Sequence, residues 1–312
     1  MTPTAGDCAT TSPPDDGSPA RPPGAAGLDR RPDRAVWTRI GVVRGAPLDM
    51  LAARIGSRHY APHAHDEYAI GVCTDGREVM RYRGERHFTG PGGLVLLEPG
   101  ETHTGGPADA GGFAYRALYP SAALLSEDAA ATPHFPDAFV HDEDLARELW
   151  RTHRALAQAD DPLEAETRLL ELLRVLVHRH AERGVRDDAV PAARTPSTAA
   201  RIADAVATRL ADQLTAPPTL AELAAGLGLS RYQLVRAFRD DRGMPPYAWL
   251  AQHRVARART LLDTGHRPAD AATLAGFADQ AHLTRWFRRV LGVTPGAYRN
   301  SVQDSARRAA RG

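Results

Sequence analysis

The chain has 312 residues, 43 % of them hydrophobic, with 39 basic against 38 acidic side chains, which gives two ordinary domains and a sizeable core. Two cysteines, Cys8 and Cys73, exclude a disulfide framework or a cysteine zinc cluster, and no run approaches the roughly 18 apolar residues of a membrane span. The near-zero balance hides an asymmetry: residues 219–312 carry 15 arginines against 7 acids while the rest carries 24 against 31, so a polyanionic partner suits only the carboxyl-terminal region.

Residues 1–34 are rich in Pro, Gly, Ser and Asp and contain no apolar run. They are expected to be a disordered tail, neither signal peptide nor anchor, which places the protein in the cytoplasm. Between 35 and 140 the pattern changes to short alternating runs punctuated by glycine, among them "EYAIGVC", "REVMRYRG", "GGLVLLEPG" and "FAYRALYP". Such runs read as strands of a small antiparallel barrel. His63 and His65, two apart on a strand, project to one face, and His103 follows the Pro99-Gly100 turn. Tyr68, Arg81, Arg83 and Glu98 are further pocket candidates, although strand parity fits barrel interior and solvent equally well.

From 141 to 182 the chain reads as a helical pair. Leu145, Leu149 and Trp150 mark the apolar stripe of the first helix, and Leu169, Leu172, Leu173, Leu176 and Val177 that of the second. The second helix is apolar on more than one stripe, which suits one face on the barrel and another on a partner subunit; simple cover for the barrel is the competing reading. A charged linker, 183–197, follows.

The remainder repeats itself. Leu234, Arg236, Phe238, Gly243 and Pro246 align with Leu283, Arg285, Phe287, Gly292 and Pro295 at a constant offset of 49, and upstream Leu223-Ala224 is expected to answer Leu274-Ala275. Each unit reads as a helix-turn-helix. Thr219, Ser230 and Asp279 are the predicted caps, Gly226 and Gly228 the first turn, and Leu234, Phe238, Leu283, Phe287 and Val290 the inner faces. Arg231, Tyr232, Val235, Arg236 and Arg239 on one second helix, and Gln280, His282, Thr284, Arg285 and Arg288 on the other, are left for recognition. Between the units, 246–265 predicts one long helix of about 27 Å, which sets the recognition helices roughly one DNA turn apart. The repeat in the text would then match the repeat of the groove.

Residues 200–299, and above all "GF.D..HLTRWFRR.LGVTP..YR", resemble the DNA-binding domain of the AraC/XylS family of bacterial transcription regulators. The run "HYAPHAHDEYAIGVCTDG" with "PGGLVLLEPGETHTG" resembles the cupin barrel that serves many of those regulators as a sensor. The resemblance implies a two-domain α+β chain: a cupin-like barrel with its helical pair, then an all-α double helix-turn-helix domain of seven helices over 198–299, with 300–312 as a tail. It implies base readout by Arg231, Tyr232, Val235 and Arg236 in the first unit and by Gln280, Ala281, His282, Thr284 and Arg285 in the second. Val235 and Ala281 offer only van der Waals contact to a thymine methyl, while Arg288 and Arg289 lie nearer the phosphates. The helical pair would carry dimer contacts.

Enzymatic cupins use the equivalents of His63, His65 and His103 for a metal, together with a carboxylate that this sequence does not supply at the expected place. Three readings of the trio compete: a metal site, a polar small-molecule pocket and a structural cluster. The sequence favours the pocket, formed by His63, His65, Tyr68, Arg81 and His103, with no metal, cofactor or catalytic residue. The expected partners are double-stranded DNA, a small-molecule effector, a second copy of the chain and RNA polymerase. A metal-dependent cupin enzyme fused to a DNA-binding tail, and a constitutive regulator without ligand, are the rival readings.

Overall fold

The computed structural model describes residues 33–43, 46–125, 132–158, 162–182 and 197–309; the expected tail up to residue 32, the linker residues 183–196 and the last three residues lie outside it. Ten strands form the amino-terminal half: β1 Arg34–Val43, β2 Ala46–Ile55, β3 Tyr60–His63, β4 Ala69–Gly76, β5 Glu78–Tyr82, β6 Glu85–Thr89, β7 Gly93–Leu97, β8 His103–Pro107, β9 Phe113–Tyr119 and β10 Phe139–His141. They make two facing sheets, in the orders β1-β2-β9-β4-β7-β10 and β3-β8-β5-β6, with antiparallel pairing throughout.

The alternation of side chains explains which residues face the interior. On β5 Glu78, Met80 and Tyr82 are buried while Arg81 is exposed. On β7 every position is buried, because the larger sheet is covered on both faces. Val95 and Leu97 join the core between the sheets, whereas Leu94 and Leu96 meet a second core under the helices.

That second core is formed with α1 Ala122–Leu125, α2 Glu143–Gln158 and α3 Pro162–His180. Asp142 caps α2 through the Leu145 amide and also accepts from Arg179 and His180, tying the start of α2 to the end of α3. Trp150, read from sequence as part of the apolar stripe, instead sits at its edge at 36 % exposure with Arg154 over its ring. A guanidinium over a partly exposed indole is a cation–π contact.

Seven helices follow: α4 Thr198–Asp212, α5 Leu220–Ala225, α6 Arg231–Arg242, α7 Pro246–Asp263, α8 Pro268–Leu274, α9 Gln280–Leu291 and α10 Pro295–Ala309. The predicted caps form. Thr219 and Ser230 make reciprocal capping boxes with Glu222 and Gln233, and Asp279 accepts from the His282 amide. Both recognition helices, α6 and α9, end on a left-handed glycine, Gly243 at φ 68° and Gly292 at φ 75°.

Two expectations need correcting. Leu274 is 49 % exposed, and the turn hydrogen bonds from Leu229 to Ala224 and from Phe277 to Ala272 match Ala224 with Ala272 rather than with Ala275. The second turn therefore holds one more residue before its cap, which the constant offset of the recognition helices concealed. Residues 300–309, expected as part of a tail, continue α10, because Val302 follows Tyr298 by one turn and buries on the same face.

The halves are packed together. One continuous apolar core runs from Trp37, Tyr60 and Tyr119 of the barrel into Leu283, Phe287 and Val290 of the second helix-turn-helix unit, while the first unit closes a separate core around Val206, Leu223, Leu234 and Phe238.

Candidate functional site

A cavity of about 60 Å³ lies between the sheets, lined by Trp37, Tyr60, His63, His65, Cys73, Glu78, His103, Tyr115 and Tyr119 of the barrel and closed by Val290 and Leu291 of α9. His63 lies on β3 and pairs across the sheet with His103 on β8. β3 stops at His63, so His65 is not on the strand as expected, yet its ring lies 5.0 Å from that of His63 and 5.2 Å from that of His103. Tyr119 packs edge-on against His65 and stacks on Trp37.

Burial sets the protonation of this site. Desolvation holds His63 near 4; with the neighbouring His63 it holds His103 near 3, so both rings are neutral at ordinary pH. It pushes the Glu78 carboxyl up to about 8 and the Cys73 thiol up to about 11. The wall therefore offers hydrogen-bonding groups and aromatic faces with little fixed charge. The three histidines, whose ligand atoms all lie within 4.8 Å of one another, are also a group that could hold a metal ion.

Not every sequence candidate reaches the cavity. Tyr68, just before β4, is fully buried in the helical core with Ile70 and Val72 and donates from its hydroxyl to the Pro133 carbonyl at 2.6 Å, away from the cavity. Arg81 points to solvent, Arg83 pairs with Glu101, and Glu98 accepts from His134 and from the Phe135 amide. Glu78 was missed, although its alternation with Met80 and Tyr82 was the available signal. Nothing local marked Val290 and Leu291 as cavity wall; Val290 reads simply as part of an inner helical stripe.

Around the cavity, barrel side chains seize the carboxyl ends of both recognition helices. Thr102, beside His103, donates to the Arg242 carbonyl at 3.0 Å; Arg58 donates to the Gly292 carbonyl at 2.7 Å, and the Trp37 indole to the Leu291 carbonyl at 3.1 Å. These are the carbonyls that a helix leaves without partners of its own. A Cβ at Gly292 would lie 2.7 Å from the Tyr60 hydroxyl, so glycine is needed there for contact as well as for conformation. Deeper in the joint, Arg259 of α7 reaches Asp49 and Glu67, and Arg39 bridges Asp49 and Asp263. Burial opposes the charge on Asp49, but Arg39 and Arg259 hold its carboxyl below the usual range. Gln252, also on α7, accepts from the Ala64 amide and donates to the Pro62 carbonyl, next to His63 and His65.

The opposite faces of α6 and α9 are open. Arg231, Tyr232, Arg236, Gln280, Ala281, Arg285, Arg288 and Arg289 are exposed, and Val235, His282 and Thr284 half-buried. Among the described residues no ion pair holds Arg231, Arg285 or Arg288, whereas Arg236 has Asp240 one turn on at 3.7 Å. His282 turns toward Tyr247, whose hydroxyl is 3.0 Å from Nε2, and Thr284 donates to the Gln280 carbonyl. Gln280, Ala281, Thr284, Arg285 and Arg288 together line a shallow concavity.

A barrel that encloses a cavity, joined to two helix-turn-helix units with exposed arginines, defines a DNA-binding regulator with a ligand-binding domain. Comparisons with known proteins give the family. Residues 46–173 match the family model of the AraC-like ligand binding domain and residues 223–301 that of a helix-turn-helix domain. Relatives include the uncharacterized HTH-type transcriptional regulator YbfI of Bacillus subtilis, 28 % identical over 71 % of this chain and 80 % of its own. The arabinose operon regulatory protein of Escherichia coli is 23 % identical over 76 % of this chain and 82 % of its own. Among solved structures, apo ToxT from Vibrio cholerae aligns with a TM-score of 0.49 and 13 % identity, over 82 % of this chain and 97 % of that one. The chain belongs to the AraC family of transcription regulators and carries the amino-terminal ligand-binding domain of that family. No helix among the described residues is long and apolar enough to cross a membrane.

Proposed function

We propose that this regulator is controlled by a small molecule bound in the histidine-lined cavity, and that binding acts on DNA recognition through the carboxyl ends of α6 and α9. The observation that carries the reading is the closure of the cavity by Val290 and Leu291, residues of a recognition helix. The inner part of the cavity, about 60 Å³, is bounded by α9, so an effector that fills it presses on Val290 and Leu291. The sheet walls are held by strand pairing, whereas the α9 wall is held by apolar contact and by the Trp37 and Arg58 hydrogen bonds. Effector and closed α9 thus compete for the same space, which is the differential interaction that a population shift requires.

On the DNA side, Arg231, Tyr232, Val235 and Arg236 read one major-groove segment and Gln280, Ala281, His282, Thr284 and Arg285 the next, with Arg288 and Arg289 on phosphates. The reading includes no catalysis and no membrane, and places the protein in the cytoplasm as a homodimer that contacts RNA polymerase when bound. In this reading the helical pair carries the dimer contacts, with Leu170, Val175 and Val177 of α3 only partly covered by the chain's own core.

The test is DNA binding by the full chain to sites selected from a random pool, across a salt series and against a panel of small metabolites. Affinity should fall steeply with salt, and one class of metabolite should both raise thermal stability and change affinity. A folded protein with no selectable site, or a stabilising metabolite without effect on DNA affinity, would contradict it.

A further inference from the structure

We propose that the β5–β6 hairpin of the barrel is a further DNA contact, in which Arg77, Arg81 and Arg86, grouped around Phe88 on the outer face of the smaller sheet, bind backbone phosphates beside the segment that α6 reads. The inference rests on the DNA-binding reading of α6 and α9 and adds to it a sequence-independent contact made by the sensor half.

The amino-terminal half is acidic as a whole, yet residues 77–88 hold four arginines against Glu78 and Glu85. Glu78 is buried with Met80 and Tyr82 on the inner face of β5, which leaves Glu85 as the exposed carboxylate of this stretch. The pairing of Val79 with Phe88 and of Arg81 with Arg86 puts these side chains on the outer face. Phe88 is 51 % exposed, and the guanidinium carbons of Arg77 and Arg86 stand 5.3 and 5.6 Å from its ring centre. Among the described residues no ion pair holds Arg77, Arg81 or Arg86, whereas Arg83 is paired with Glu101. Two of the three unpaired forks are thus ordered on one ring, and their donors match phosphate oxygens. Like charges directly opposite across a strand pair cost stability, and a polyanion laid over Arg81 and Arg86 relieves that cost.

The place of the hairpin makes DNA the polyanion it fits. Arg83 and the Tyr82 hydroxyl both donate to Glu101, and the next residue, Thr102, donates to the Arg242 carbonyl at the end of α6. The hairpin tip is therefore joined to the first recognition helix through two consecutive residues. The strand order β3-β8-β5-β6 gives the direction. The end of α9 lies against Arg58 and Tyr60 on the β3 side and the end of α6 at the start of β8, while β5 and β6 lie one and two strands further on, at about 4.8 Å per strand. Along the sheet the order is α9, α6, hairpin, so a duplex that crosses both recognition helices and continues past α6 runs toward the arginines. Arg83 and Gly84, at φ 48° and 86°, close a tight turn that keeps Arg81 and Arg86 directly opposed. These phosphates are held only while the barrel is seated on α6, so docking of the two halves sets part of the DNA affinity.

The experiment uses the full chain and duplexes carrying one copy of a site selected from a random pool, either extended by about ten base pairs past the half that Arg236→Ala relaxes or cut at that edge. On the extended duplex, Arg81→Gln combined with Arg86→Gln should bind roughly tenfold more weakly at about 0.1 M salt, with the salt slope lower by about two and the base preference unchanged. On the cut duplex, parent and variant should bind alike. Equal binding to the extended duplex at every salt concentration overturns the contact and leaves the patch to an acidic protein. Equal loss on both duplexes, which a change of net charge alone would produce, overturns it as well. If the glutamine variant does not fold, phosphate ethylation interference on the parent decides: sensitive phosphates should continue beyond the α6 half of the site, and sensitivity that stops at its edge overturns the proposal. Specific binding without any effect of the flank strikes this proposal alone, whereas a folded parent that yields no selectable site strikes the DNA-binding reading.

Discussion

The two helix-turn-helix units have the same design and different surroundings. In the first, Leu223, Leu234 and Phe238 close a core with α4 that belongs to the unit itself. In the second, Leu283, Phe287 and Val290 share a core with Trp37, Tyr60 and Tyr119 of the barrel. The barrel touches the end of α6 through the Thr102 hydroxyl but supplies part of the hydrophobic support of α9. Duplication of a module does not duplicate its coupling: the cavity shares an apolar core with α9, whereas it meets α6 only through the Thr102 hydrogen bond and the shared helix α7.

The largest effect expected from breaking this arrangement is at the joint. Arg259→Ala removes a buried cation and leaves Asp49 with only Arg39, at a cost of about 3–5 kcal/mol in chemical denaturation of the full chain. Because the joint ties α7 to β1 and β2, hydrogen exchange should quicken in α7 and β1 before α6.

Next come the readers. Arg236→Ala and Arg285→Ala should each remove about 1–3 kcal/mol of discrimination at one base pair, the two positions lying about 10 base pairs apart in systematic operator substitution. Relaxed positions only two or three pairs apart would mean that the units do not occupy successive grooves. Arg289→Ala should weaken all DNA alike and lower the salt slope by about one.

A core pair sharpens the contrast at smaller cost. Phe238→Leu and Phe287→Leu should each lose about 1–2 kcal/mol, but only Phe287→Leu should lower exchange protection in β1 and β2.

The last effect is electrostatic and is read as a slope against pH. Burial raises the folded carboxyl of Glu78 from its ordinary 4.5 to about 8, so the folded state holds a proton that the unfolded chain has released. Stability linked to this group is present below pH 4.5 and is lost as pH rises toward about 8. Glu78→Gln should flatten that slope in melting temperatures taken across the same range, with its advantage over the parent growing toward the alkaline end.

Much of the DNA-binding half was legible because its signals are local. Caps at Thr219, Ser230 and Asp279, glycine stops at Gly243 and Gly292, and helical spacing of Leu and Phe need no distant partner. The extra turn residue of the second unit escaped because alanine serves as core at Ala271 and Ala272 while Leu274 faces out, which reverses the usual hydrophobic cue. The cavity was legible only in part. His63 and His103 stood out by residue type, but strand parity left Tyr68 and Arg81 open between interior and solvent, and each faces away. Trp37 and Tyr119 come from strands at opposite ends of the barrel sequence, and Val290 from another domain. Such convergence is a property of sheet register and domain docking, which no single stretch of sequence encodes.

The central claim, that the cavity controls the second unit more directly than the first, can be tested without knowing the effector. Gly71 lies on the cavity wall, and a Cβ built there meets only ordinary contacts, the nearest at 3.8 Å, so Gly71→Leu places a side chain in the space an effector would use. Hydrogen exchange of this variant against the parent should show faster exchange at residues 290–293, at the end of α9, with α6 unchanged. Equal change in both recognition helices, or none in either, would contradict the account.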